Sequence, residues 1–142
     1  MGIQLPNGNY IHTFEYGNSQ GYPVYYRISS NPLNFNAQAN VQLVASDGAS
    51  LNSSPYVVYT SYGGTNGTII VNSAASGSLF INQALGSGQW KEIHVSQGGA
   101  YTRSLEILAE SPKALLIMGA GYNQKSTRNE VTASVVDLST LF

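Results

Sequence analysis

Apolar and polar residues alternate with a period of two along most of the chain. They do so in short runs separated by turns rich in Gly, Asn and Ser, the pattern of half-buried strands. One run covers 9–16, after the turn Pro6-Asn7-Gly8, and a second covers 22–29, after a polar stretch from Gly17 to Gly21. Residues 41–45 form a third, closed by Ser46-Asp47-Gly48. Further runs lie at 55–60, 68–72, 79–82, 90–95, 103–108, 114–119 and 131–138. No stretch carries apolar residues at i, i+3, i+4 and i+7, so the pattern predicts an all-β chain with almost no helix.

A repeat underlies the runs. Residues 9–17 and 23–29, 55–63 and 67–73, and 114–121 and 130–136 each read as a strand, a short turn of polar residues and Gly, and a second strand. Their starts are spaced like four-stranded propeller blades. The predicted architecture is a partial β-propeller of about three four-stranded antiparallel blades, near 3–46, 54–96 and 101–138, in one domain spanning 1–142. Periodicity alone leaves a two-sheet sandwich equally open. Three blades fall short of the 4–8 that close a ring, so both flanks should expose apolar surface.

Composition narrows the chemistry. Charged residues are only 9% of the chain and net charge is −1. No basic run offers nucleic acid a footprint. No apolar run approaches the ~20 residues of a membrane span, and the N-terminus lacks the basic and apolar regions of a signal peptide. With no cysteine, thiol catalysis and zinc-thiolate sites are excluded. His12 and His94 have no metal-ligand spacing and no visible carboxylate or Ser partner, so both read as ordinary strand residues; no metal or cofactor is expected. Ten tyrosines suit strands and could also stack on sugars. The triplets beginning at Asn52 and Asn66 match the glycosylation pattern, a pattern common by chance in such a composition.

Two groups of motifs favour the propeller. The first is Leu5-Pro-Asn-Gly-Asn-Tyr-Ile-His-Thr-Phe-Glu-Tyr-Gly17 with Tyr22-Pro-Val-Tyr-Tyr-Arg-Ile-Ser29 and Asn31-Pro-Leu-Asn-Phe35. The second is Ser54-Pro-Tyr-Val-Val-Tyr59, Leu79-Phe-Ile-Asn-Gln-Ala-Leu-Gly86 and Gly99-Ala-Tyr-Thr-Arg-Ser-Leu105. Together, in this order, they resemble the C-terminal half of fungal family 93 glycoside hydrolases, the exo-1,5-α-L-arabinanases. The resemblance runs from Ile3 to Leu138. It implies a sialidase-like, six-bladed parent fold, an extracellular setting, and release of arabinobiose from arabinan with retention at the anomeric carbon.

Retention requires two carboxyl groups, a nucleophile and an acid/base. On the motif Phe14-Glu15-Tyr16-Gly17, the resemblance puts Glu15 at the nucleophile. The family's acid/base Glu lies upstream of the point where this chain starts, so the isolated chain is expected to lack arabinanase activity. Alternation sets Ile11, Thr13 and Glu15 on one strand face and Tyr10, His12, Phe14 and Tyr16 on the other. The resemblance also implies a pocket Tyr at Tyr101, bonded to the carboxylate or the sugar. Arg103 is a candidate for sugar hydroxyls or for holding a carboxylate. Tyr16, Tyr56 and Tyr62 are candidate stacking platforms. Arg27 reads as structural and Trp90 as a blade-core residue. The expected partner is arabinan or an arabino-oligosaccharide. The alternatives are a weak sugar-binding module, and a truncated remnant without function. A homodimer of two three-blade chains would complete six blades.

Overall fold

The computed structural model describes residues 1–19, 21–73, 77–85, 87–95, 101–123 and 126–142; of Tyr101, Tyr122 and Asn123 it describes the backbone. The described residues form three antiparallel sheets. The first runs β1 (Gly2–Gln4), β2 (Tyr10–Glu15), β3 (Val24–Ser29), β4 (Val41–Gln42), and the second β5 (Pro55–Thr60), β6 (Thr68–Ser73), β7 (Ser78–Asn82), β8 (Lys91–His94). The third has β9 (Tyr101–Ile107), β10 (Ala114–Asn123) and β11 (Arg128–Asp137), with β10 in the middle. It holds three strands among the described residues where the sequence suggested four. Two short 3-10 turns, Phe35–Ala37 and Leu138–Thr140, are the helical elements described.

The sheets stack through their first strands, β1 and β2 against β5, and β5 against β9. This is the partial propeller. The middle sheet separates it from a sandwich, because every residue of β6 and β7 is buried. Ile69, Val71, Phe80 and Val57 pack with Ile11, Val24 and Leu43 of the first sheet. Their neighbours Ile70, Leu79 and Ile81 point the other way, into Leu105, Leu115 and Ile117 of the third. A sheet buried on both faces must be apolar on both, hence the unbroken runs Ile69-Ile70-Val71 and Leu79-Phe80-Ile81. Each such side chain contributes roughly 1.5–3 kcal/mol by burial.

The hairpins that look like repeats do not occupy matching places. Residues 9–29 are the second and third strands of their sheet, as are 114–136 in theirs, but 55–73 are the first and second. Any adjacent antiparallel pair gives the same strand–turn–strand pattern, and β1, at three residues, is too short to mark the offset. The β5–β6 turn uses Gly67 at φ +79°, where a β-carbon would strike Tyr59 and the Thr60 carbonyl; only glycine fits there.

Two side-chain hydrogen bonds tie the second sheet to the third. Thr102 Oγ1 donates to Asn72 Oδ1 at 2.6 Å, and Asn72 Nδ2 donates to the Ser78 carbonyl at 2.7 Å. Both Asn72 and Thr102 are fully enclosed. Lower in the same interface, Thr60 Oγ1 donates to the Pro112 carbonyl. On the outer strand β8, His94 has the partners the sequence did not reveal: Nε2 lies 2.8 Å from Glu92 and Nδ1 3.1 Å from Ser78 Oγ. Residues i and i+2 of a strand share a face, which is how Glu92 reaches it.

Two outcomes follow. Asn72→Ala strands the Thr102 hydroxyl in the core and should cost about 1–3 kcal/mol in urea unfolding; a loss near zero would contradict the cross-sheet bond. His12 lies on the outer face of the first sheet, and burial, then the N-terminal ammonium and Arg27, hold its pKa below the usual value. The folded state therefore keeps it neutral while the unfolded chain binds a proton near pH ~6.5. Stability should thus fall as pH drops from about 6.5 through the lower folded value. Thermal melts of His12→Gln should lose that part of the slope; an unchanged slope would refute the assignment.

Candidate functional site

One end of the stack gathers the chemistry. Glu15 is the last residue of β2 and pairs with Val24 at the start of β3. The approach to β3 meets the approach to β5, with Pro23 bridging Asn52 and Ser53 N–H donating to the Tyr22 carbonyl at 2.8 Å. Tyr56, second in β5, pairs with Asn72, which bonds Thr102 near the start of β9. Glu15, Tyr56, Tyr101 and Arg103 therefore stand on one rim, spread over the three sheets.

Glu15 shares the face of Ile11, which packs with the second sheet, and of Thr13, which is fully buried and donates to the Met1 carbonyl. It sits one step beyond Thr13 and is exposed. The alternation that buries those two side chains thus aims Glu15 over the rim toward the second sheet. Tyr56 is half-buried against the interface with the third sheet. Tyr16 is 60% exposed but turns to the other side, edge-on to Tyr25 with ring centroids 6.2 Å apart. Tyr62 lies at the opposite end of the stack, beyond the C-terminal end of β5, packed on Phe142 at 5.9 Å. The structure does not bring Tyr62 to Glu15, because β5 runs its full length away from the rim before reaching it.

Tyr101 opens β9, its backbone paired with Ala120; its side chain lies outside the described residues. Arg103 occupies a β-bulge: Ser104 faces Met118 and Thr102 faces Gly119, with Arg103 the extra residue between them. The bulge keeps both Thr102 and Leu105 buried while Arg103 is exposed. Bulges re-aim side chains in this way beside functional sites. Arg103 lines a recess of about 310 Å³ with Ala120, Gly121, Asn129, Glu130 and Val131. Glu130 Oε1 lies 3.4 Å from Arg128 Nε.

Sequence reading passed over Glu130 and Asn129. Nothing in the residue pattern announces the bulge that brings Arg103 to them, although their place just after a polar turn is a signal of a strand start at the rim. Arg27 is structural, as expected: its guanidinium covers the Phe14 ring at 4.9 Å and donates to Asn40 Oδ1 at 2.5 Å. Trp90 is 2% exposed and meets Tyr26 edge-on at 5.4 Å, a core residue.

The other carboxylates are engaged elsewhere. Asp47 and Asp137 accept from the backbone of their own turns, at Ala49 and Ser139. Glu92 serves His94, and Glu106 and Glu110 lie toward the far end of the third sheet. Glu130 shares the rim with Glu15, but it stands on β11, two strands out from β9, with the whole second sheet between. At 4.7–4.9 Å per strand, that is well beyond the roughly 5–5.5 Å of a retaining pair. Among the described residues no group of three His, Asp or Glu side chains could hold a metal ion.

No family model matches the chain, and no curated protein matches it. Solved structures do. The family 93 α-L-arabinofuranosidase of Fusarium graminearum, in complex with arabinobiose, is 43% identical over 99% of this chain, with a TM-score of 0.88. A Glu-to-Ala mutant of the Fusarium α-L-arabinofuranosidase with an iminosugar inhibitor gives 42% identity over 99% of the chain and a TM-score of 0.87. The α-L-arabinanase of Penicillium chrysogenum with arabinobiose is 44% identical over 96% of the chain, with a TM-score of 0.86. The chain spans 42%, 42% and 40% of these three proteins' lengths respectively. Over nearly every one of its residues the chain is similar in sequence and in sheet stacking to part of these glycoside hydrolase family 93 enzymes.

Proposed function

We propose that the chain carries part of an arabinan-cleaving site: the nucleophile position, Glu15, and sugar-binding groups on the same rim. The reading rests above all on the 43% identity and common fold with an arabinobiose complex, taken together with an exposed Glu15 that the core alternation turns toward the cleft side. In such a site Glu15 attacks the anomeric carbon, the glycosidic C–O bond breaks, and a glycosyl ester forms on the carboxylate. Tyr101 stands by the nucleophile, Arg103 donates to sugar hydroxyls from its bulge, and Tyr56 offers a ring to the furanose. A polysaccharide substrate of this size implies an extracellular setting.

Bond breaking also needs a proton for the leaving oxygen. The carboxylic acid that supplies it must sit within about 5–5.5 Å of the nucleophile, and no carboxylate of this chain does. Acid assistance is worth roughly 10²–10⁴ in rate. The chain by itself therefore binds arabino-oligosaccharides and does not turn them over.

The test is a pair of measurements on the full chain. Titration with arabinobiose followed by NMR should shift resonances at the rim, and Arg103→Ala should weaken binding about tenfold or more, as for a lost hydrogen bond to a charged group. Debranched arabinan should release no arabinobiose. Absence of any shift at saturating ligand would overturn the sugar-site reading, and steady release of arabinobiose would overturn the missing-acid reading.

A further inference from the structure

The turn between β5 and β6, residues 61–67, stands at the end of the stack opposite the rim. It belongs to the middle sheet, both of whose faces are covered within this chain. Near its tip is Asn66, which is exposed and begins one of the two triplets of the glycosylation pattern, Asn66-Gly67-Thr68. Asparagine serves turns for two other reasons. Its amide accepts from the backbone two residues on, and its backbone tolerates the left-handed region.

Neither reason applies at Asn66. Asn7, Asn31 and Asn82 each accept from the N–H two residues on, at 3.0, 2.9 and 2.9 Å. The Asn66 amide makes no hydrogen bond among the described residues. Its φ lies outside the left-handed region, which Gly67 occupies at +79°. The turn is held without that amide: Tyr59 OH donates to the Asn66 carbonyl at 2.9 Å, and Thr68 Oγ1 donates to the Tyr62 carbonyl at 2.7 Å. An exposed amide with no structural duty, at a surface turn, is what an N-linked sugar requires.

The second triplet is placed differently. Asn52 bridges Pro23 where the first and second sheets meet at the rim, and its amide oxygen lies 3.5 Å from where a β-carbon on Gly21 would stand. An oligosaccharide there would crowd the rim that carries Glu15. From Asn66 it projects from the opposite end. Thr68 is fully buried, so the hydroxyl that the pattern requires is out of reach once the sheet has formed. Transfer therefore precedes folding of the hairpin, and the exposed amide lets the finished fold keep the sugar outside.

We propose that Asn66 is an acceptor for an N-linked oligosaccharide. In the transfer, Asn66 Nδ2 bonds the anomeric carbon of a lipid-diphosphate-linked sugar, and the bond from that carbon to the diphosphate oxygen breaks. The lipid diphosphate leaves with the electron pair and takes up the proton that Nδ2 gives up. The secretory setting rests on the extracellular reading above. Supplying that setting in the test keeps the two apart: a bare Asn66 counts against the acceptor, while the sugar site stands or falls by the arabinobiose titration.

The full chain, secreted from a yeast behind a host leader, provides the test. The secreted species should exceed the 15.1 kDa mass of the bare chain. Treatment with an amidase that releases N-linked sugars and leaves Asp should bring the mass down. Run in heavy-oxygen water, it should label residue 66, which separates a removed sugar from spontaneous deamidation at Asn66-Gly67. Asn52→Gln should keep the sugar on Asn66. Asn66→Gln should remove it and leave the β-sheet circular dichroism unchanged. An unlabelled residue 66 in the folded, secreted chain would overturn the proposal, as would label at Asn52 alone. So would a glycosylated chain whose circular dichroism departs from that of Asn66→Gln, since the sugar would then disturb the fold.

Discussion

Everything in this molecule depends on a sheet that is dry on both sides. Ile69 and Ile70 are adjacent residues, each fully buried, and they enter two different cores. That arrangement forces a third layer to exist. A sandwich satisfies a sheet with one covered face; this middle sheet requires two, and the first and third sheets are held in place by filling that need. The buried Asn72–Thr102 pair then fixes how the third sheet sits on the second, since a slip would leave both polar groups unpaired in an apolar interface.

From that stacking the rim follows. The strands that begin or end at one end of the three sheets carry Glu15, Tyr56 and, together on β9, Tyr101 and Arg103, three places far apart in sequence. Their proximity is a product of sheet packing alone. The bulge at Arg103 is the single local departure from regular pairing that matters to the site: it lets Thr102 and Leu105 both face the core and turns the guanidinium out to the recess beside Glu130. The likeness to family 93 structures and this rim support the same sugar-handling reading.

Much of this was legible in the residues. Period-two alternation found most of the strands, and the face assignment of Ile11, Thr13 and Glu15 came directly from it. Two groups of motifs, one of them around Glu15, together carried the resemblance to family 93. Other features were hidden for physical reasons. The hairpins were matched one strand out of step, since a pattern of apolar strand and Gly turn does not say which pair in a sheet it forms. The three-layer stack had a readable mark, the unbroken apolar runs at 69–71 and 79–81, yet alternation was the pattern sought. Tyr62 looked like Tyr56 in sequence, and only the length of β5 shows that they sit at opposite ends. The bulge leaves no trace in composition at all, so the link between Arg103, Asn129 and Glu130 required coordinates. His94 found its partners through Ser78 on the adjacent strand and Glu92 on its own.

The doubly buried middle sheet can be tested by one comparison, urea unfolding of Ile69→Ala and Ile70→Ala. The chemistry is identical and the residues are neighbours, so only the face differs. If three layers stack as described, each substitution opens a cavity in a core and each costs about 2–5 kcal/mol. If one of the two is tolerated within about 0.5 kcal/mol, as for a side chain facing solvent, one face of the sheet is wet and the propeller account fails.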